Sequence, residues 1–162
     1  MDIDMKLSVL EKIAKILNQN KITWAISASL LLYFKGIVDD FQDIDIMISE
    51  EDVLVVTNLL ANYGTLQQNN PNSKYKTRVF LEYVIDNVEI DIMAGFIIVA
   101  NNSEYYFPLT KKSISEIIVI NDTPIPLQSI EEWKTFYSLM GRMEKVKLIE
   151  RKLHKGYEHS LV

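Results

Sequence analysis

The sequence contains no cysteine. Disulfide frameworks, thiolate nucleophiles and cysteine-type zinc sites are therefore excluded. Its only two histidines, His154 and His159, lie in the last nine residues. A histidine metal cage or a Ser-His-Asp triad would have to be built from a C-terminal tail. The five glycines stand at 36, 64, 95, 141 and 156. That spacing admits neither a G-x-G-x-x-G fingerprint nor a Walker A loop. Positive charge is in deficit, with 17 Lys and Arg against 22 Asp and Glu for a net −5. Such a chain is poorly suited to gripping nucleic acid through phosphate contacts. Long hydrophobic runs are missing as well. The longest nearly uncharged stretch, Ile22 to Phe34, falls short of the roughly 20 residues that cross a bilayer. Asp2, Asp4 and Lys6 precede any apolar run, unlike a secretory signal. No membrane partner is expected, and a cytoplasmic location is. The sequons at Asn101-Asn102-Ser103 and Asn121-Asp122-Thr123 are read as chance.

What remains is an ordinary globular composition of 162 residues, 48% hydrophobic and 24% charged, enough for one domain and a small extension. Apolar spacing predicts a helix from about Met5 to Gln19 with Asp4 as N-cap. A strand over Ile22–Ile26 follows, then a brief helix from Leu30 to Lys35 closed by Gly36. Ile44–Ile48 reads as a strand, and Ser49-Glu50-Glu51-Asp52 opens a helix that ends near Gly64. Thr65–Ser73 reads as a loop. Tyr75–Val84 and Val88–Met93 read as a hairpin turning at Asp86-Asn87. Phe96–Ala100 is a further strand, and Ile117–Ile120 with Thr123–Pro126 form a hairpin around Asn121-Asp122. Ser129-Ile130-Glu131-Glu132 starts a helix that pauses at Gly141 and resumes to about Lys155. The order defines an α+β domain with a mixed sheet and a helical C-terminus.

The carboxylates are placed unusually. Asp43 and Asp45 sit at i and i+2 on one strand and share a face, while their isoleucine neighbours point to the other. Glu89-Ile90-Asp91-Ile92 repeats the pattern. Two such pairs on neighbouring strands concentrate negative charge, which cations would relieve. Carboxylate-only donors suit Mg²⁺ or Mn²⁺. Apolar/acidic alternation is also how any half-exposed strand looks, so a plain solvated face stays open. Ser27-Ala28-Ser29 forms a small-residue turn between strand and helix, where N–H groups and hydroxyls can meet a phosphate. An ordinary N-cap is the other reading.

Trp24-Ala25-Ile26-Ser27-Ala28-Ser29, then Gly36, Asp43-Ile44-Asp45-Ile46 and Val88-Glu89-Ile90-Asp91-Ile92-Met93 together resemble the minimal nucleotidyltransferase fold of the DNA polymerase beta superfamily. Leu127 to Lys145 is similar to the C-terminal helices of small lincosamide and aminoglycoside nucleotidyltransferases. The resemblance covers roughly residues 20 to 150. It implies a nucleotidyltransferase-like α+β domain over 1–127, with 128–162 as a helical extension of the same compact unit. It further implies that Asp43, Asp45 and Asp91 bind two Mg²⁺ or Mn²⁺ ions, and that Ser27, Ala28 and Ser29 form the nucleotide turn. Asp91 would act as base on an acceptor hydroxyl, and a nucleoside triphosphate, ATP by preference, would supply the nucleoside monophosphate. The acceptor, a small molecule or a protein, and a homodimeric state stay open. The family usually has Gly where this chain has Ala28, so a binding or regulatory module that has lost catalysis is the alternative. Arg142 and Lys145 on a late helix, and Lys74, Lys76 and Arg78 alternating on one strand, are secondary candidates for phosphate contact. Solvated or paired side chains are the competing reading for all five.

Overall fold

A computed structural model describes residues 2–67 and 76–160, without the side chains of 156–160. Helix α1 (Ile3–Gln19) turns Leu10, Ile13, Ala14 and Leu17 into the core. Its N-cap is Asp2, whose carboxylate accepts from the Met5 N–H at 2.8 Å. The expected cap, Asp4, lies inside the first turn instead, where its charge still opposes the helix dipole. Strand β1 (Trp24–Ile26) is fully buried. Helix α2 (Ala28–Phe34) stops at Gly36, which takes φ +72°. There the Gly36 N–H bonds the Tyr33 carbonyl and the Ile37 N–H bonds the Leu32 carbonyl, the paired closure that a left-handed residue permits.

Strand β2 (Ile44–Ile48) matches its expected span. The segment after it begins as a short 3₁₀ turn, Glu50–Asp52, before α3 (Val53–Leu60). Thr65–Gln67 pairs with the hairpin that follows, as strand β3, and is not loop. Its three residues are exposed and sit at a sheet edge, where pairing and not burial makes the strand. The rest of the expected loop, 68–73, and the start of the next expected strand at Tyr75 fall outside the described residues. Strands β4 (Val79–Ile85) and β5 (Val88–Ala94) meet at Asp86 and Asn87, both with positive φ, as a two-residue hairpin demands. Strand β6 (Phe96–Ala100) is followed by β7 (Ser103–Phe107), a strand the sequence pattern had not suggested. The Asn101-Asn102 sequon is the turn between them, and Asn121-Asp122 plays the same part between β8 (Glu116–Ile120) and β9 (Thr123–Leu127). Helices α4 (Ile130–Leu139) and α5 (Met143–Ser160) close the chain.

Seven strands form one mixed sheet in the order β3-β4-β5-β2-β1-β9-β8, and β6 and β7 form a separate ribbon. Among the described residues β2–β5 and β1–β9 pair in parallel and the other strand pairs are antiparallel. Helix α1 lies along β9, α2 along β2, and α4 against β6, α2 and α5. An aromatic cluster joins the ribbon to α4: Phe96 and Phe107 meet Phe136 at 5.4 and 4.6 Å between centroids, and Trp133 stacks on Phe96 at 5.8 Å. Burying such rings contributes several kcal/mol in all and anchors the C-terminal helices to the sheet. Among the described residues no helix is long and apolar enough to cross a membrane.

Candidate active site

The parallel pairing of β2 with β5 sets Asp45 directly beside Asp91. The Ile44–Ile90 and Ile46–Ile92 partners on either side are fully buried. Pleat alternation then turns both aspartates to the opposite face, where each is half-buried. Asp43 stands two residues before Asp45 on the same face. The antiparallel β4–β5 register adds Glu82 opposite Asp91 and Gln67 beyond it, so a polar row crosses half the sheet. Glu82 was overlooked in the sequence reading. The signal was there, because a two-residue turn at Asp86-Asn87 fixes which β4 residue faces Asp91.

Burial, compounded by like charge close by, shifts the three aspartates. Burial, followed by the charges of Asp43, Glu82 and Glu89, pushes Asp91 up to about 7. Burial pushes Asp43 up to about 6, helped by a hydrogen bond with the Glu89 carboxyl and by its charge, while the Lys6 ammonium works the other way. Asp45 is held well above the ordinary carboxylate range by burial and by Asp91 and Asp43, with the Ser29 N–H pulling it down. Among the described residues none of the three is in an ion pair with lysine or arginine. As they stand, no three described Asp, Glu or His side chains are gathered closely enough to hold one ion. The donor chemistry nevertheless fits a hard divalent cation: oxygen-only, anionic, and destabilised by its own charge.

The turn after β1 runs directly alongside. The Ser27 N–H donates to the Asp45 backbone carbonyl at 3.0 Å, and the Ser27 side chain is fully buried with an unpartnered Oγ. The Ser29 N–H lies toward the Asp45 carboxylate and favours its charged form, while the Ser29 hydroxyl stands at the same turn. Ala28 adopts φ +51°, a left-handed conformation that a Cβ makes costly and glycine tolerates. Ala28→Gly is therefore expected to raise stability by about 1 kcal/mol, measured as a shift of the urea midpoint at constant slope.

Three of the five secondary candidates are engaged elsewhere. Lys76 pairs with Glu104 at 3.0 Å, and Arg78 pairs with Glu50 at 2.9 Å while lying over the Tyr106 ring. Arg142 bonds Glu144 at 2.5 Å and lies 6.0 Å from the Tyr137 ring centroid. Lys145 is half-buried on α5, and Lys74 lies outside the described residues.

A mixed sheet that places two aspartates side by side next to a serine turn, with helices closing its C-terminal end, defines a nucleotidyltransferase fold. The chain belongs to the aminoglycoside-2''-adenylyltransferase family, whose sequence profile matches residues 9–160. Solved structures agree on the fold. A candidate nucleotidyltransferase of Thermotoga maritima superposes with TM-score 0.74 at 23% identity, over 96% of each chain. ANT(2'')-Ia, solved with adenylyl-2''-tobramycin, gives 0.62 at 13% identity, over 92% of this chain and 90% of that one. The lincosamide antibiotic adenylyltransferase LnuA, solved with lincomycin, gives 0.60 at 15% identity, over 87% and 94%. No curated protein sequence matches the chain.

Proposed function

We propose that this chain is a metal-dependent nucleotidyltransferase that moves the adenylyl group of ATP to a hydroxyl of a small, antibiotic-like acceptor. The observation that carries the reading is the register match of Asp45 and Asp91 beside the Ser27–Ser29 turn, with neither in an ion pair among the described residues. The family model and the two antibiotic adenylyltransferases of the same fold support the adenylyl donor and the hydroxyl acceptor.

Asp43, Asp45 and Asp91 would hold Mg²⁺ or Mn²⁺. Such ions supply charge neutralisation for the triphosphate and for the attacking and leaving oxygens. The chain does the rest. Asp91, which faces Glu82 across the β4–β5 pairing, takes the proton of the acceptor hydroxyl as that oxygen attacks the α-phosphorus. Pyrophosphate leaves in line. The Ser29 hydroxyl and the buried Ser27 Oγ line the turn against which the phosphates rest. The Ser29 N–H favours the charged form of the neighbouring Asp45 carboxylate, the form that would hold a cation. The row of carboxylates from Asp43 to Glu82 gives the acceptor side a negative field that favours cationic acceptors.

The test is direct. Purified protein with ATP and Mg²⁺ is offered aminoglycosides and lincosamides in turn, and products are followed by mass spectrometry and pyrophosphate release. The expected result is an acceptor that gains one adenylyl group. Absence of transfer to every hydroxyl acceptor, together with no calorimetric binding of ATP in Mn²⁺, would sink the proposal.

A further inference from the structure

The loop that delivers Asp43 to the site is held by side chains. Among the described residues no backbone group between Val38 and Gln42 is bonded to another backbone group. Asp45 differs, because it lies inside β2 and its carbonyl accepts from the Ser27 N–H at 3.0 Å. Asp43 precedes that strand. The buried Phe41 ring anchors the loop and meets Tyr33 at 5.0 Å between centroids. Both polar groups of the Phe41 backbone are met by side chains. Its N–H donates to the Asp40 carboxylate at 2.7 Å, and its carbonyl accepts from the Lys6 Nζ at 2.5 Å. Lys6 comes from α1, and its side chain is only 13% exposed. The ammonium lies 5.2 Å from the Phe41 ring centroid and 4.0 Å from the Asp40 carboxylate, beyond hydrogen-bond reach of the latter. Its charge also acts on Asp43, two residues past the clasped carbonyl. An ammonium so nearly buried without a close carboxylate is costly, and an apolar side chain of the same length would fill the place at lower desolvation cost.

We propose that Lys6 is a positioning residue for the cation site: by clasping the Phe41 carbonyl from α1 it fixes the Asp43 carboxylate for a divalent ion held together with Asp45 and Asp91. The inference rests on the nucleotidyltransferase reading of the aspartates and deepens it. Lys6 touches no reacting atom and acts through the loop. It also precedes residues 9–160, the span of the family profile, so the clasp is a feature of this chain's own first helix. Two effects of the ammonium oppose each other. Its charge repels a divalent ion nearby, whereas its hydrogen bond orders a ligand of that ion, as partners behind a metal's ligands do. The geometry favours the second, because the Nζ is spent on a backbone carbonyl in a loop that no backbone bond holds.

The sign of one substitution tests this. Lys6→Met keeps the stem and removes the clasp. Bound Mn²⁺ is counted by electron paramagnetic resonance, and melting curves in chelator report the fold. Lys6→Met is expected to bind Mn²⁺ about tenfold more weakly than wild type. The Mn²⁺ needed for half-maximal adenylyl transfer rises in step, while acceptor KM stays within about twofold. Lys6→Gln, polar but one atom shorter, falls short of the carbonyl and should show the same loss, which covers the case of a Met variant that does not fold. In an Asp43→Asn background Lys6→Met should weaken Mn²⁺ binding no further, because the lysine acts through that carboxylate. Unchanged or tighter Mn²⁺ binding in a folded Lys6 variant, as charge repulsion alone would give, or a loss that adds in full to that of Asp43→Asn, would overturn the assignment. If wild type binds no Mn²⁺, with or without ATP, the nucleotidyltransferase reading fails with it. If wild type binds Mn²⁺ and the Lys6 variants bind it equally well, only the role of Lys6 fails.

Discussion

Replacing Asp45 by Asn is expected to cut adenylyl transfer by about 10³-fold or more. The carboxylate that sits beside Asp91 would no longer help hold a divalent ion, and such an ion supplies several kcal/mol of charge stabilisation at 1.36 kcal/mol per factor of ten. The same substitution should raise the thermal midpoint of the metal-free protein. It removes one of the charges that crowd this group while keeping the shape of the side chain and an acceptor for the Ser29 N–H. A loss of activity accompanied by a gain in apo stability separates a site of functional repulsion from an ordinary structural carboxylate, whose removal lowers both. Kinetics by pyrophosphate release and melting curves in chelator measure the two halves. Near-normal turnover in Asp45→Asn would remove this residue from the mechanism.

The second large effect is on stability against pH. Asp43 and Asp91 titrate near 6 and 7 in the folded chain, against an ordinary value of 3.8. Between about pH 4 and pH 7 the native state therefore binds more protons than the unfolded one. Stability contributed by these groups falls across that window as pH rises. The half-exposed setting reduces the effect to the order of 1–2 kcal/mol. Glu50, partly exposed, and Glu144, exposed, both lowered by their tyrosine or arginine partners, act in the opposite sense, so the difference between wild type and Asp91→Asn isolates the site. Millimolar Mg²⁺ or Mn²⁺ at pH 7.5 should restore the loss, by about 2.7 kcal/mol when the ion is at a hundred times its dissociation constant. Denaturant titrations at pH 4.5, 6 and 7.5, with and without the ion, provide the check. A wild-type minus Asp91→Asn difference that is flat with pH and indifferent to the cation would contradict the charge arrangement described here.

Much of this was legible in residue order. The Asp86-Asn87 and Asn121-Asp122 dipeptides named their hairpins because few residues other than Asn, Asp and Gly accept two consecutive positive φ values. Asn101-Asn102 carried the same signal and was passed over, so β7 was missed. Strand β3 left no trace, since three exposed residues become a strand only through the partner they meet. The unusual Ala28 was visible as a departure from a glycine, but its positive φ was not.

By itself, the sequence determined the class of chemistry available to this protein: no thiol, no central histidine, and carboxylates spaced two apart between buried isoleucines. It also determined the local pieces, because periodicity, capping and turn residues act over a few neighbours. Only the tertiary structure decided that Asp45 and Asp91, 46 positions apart, stand on adjacent strands in matched register, with Glu82 and Ser27 as their flanks. Register between distant strands is set by how the whole sheet buries its apolar face, and no local pattern contains it.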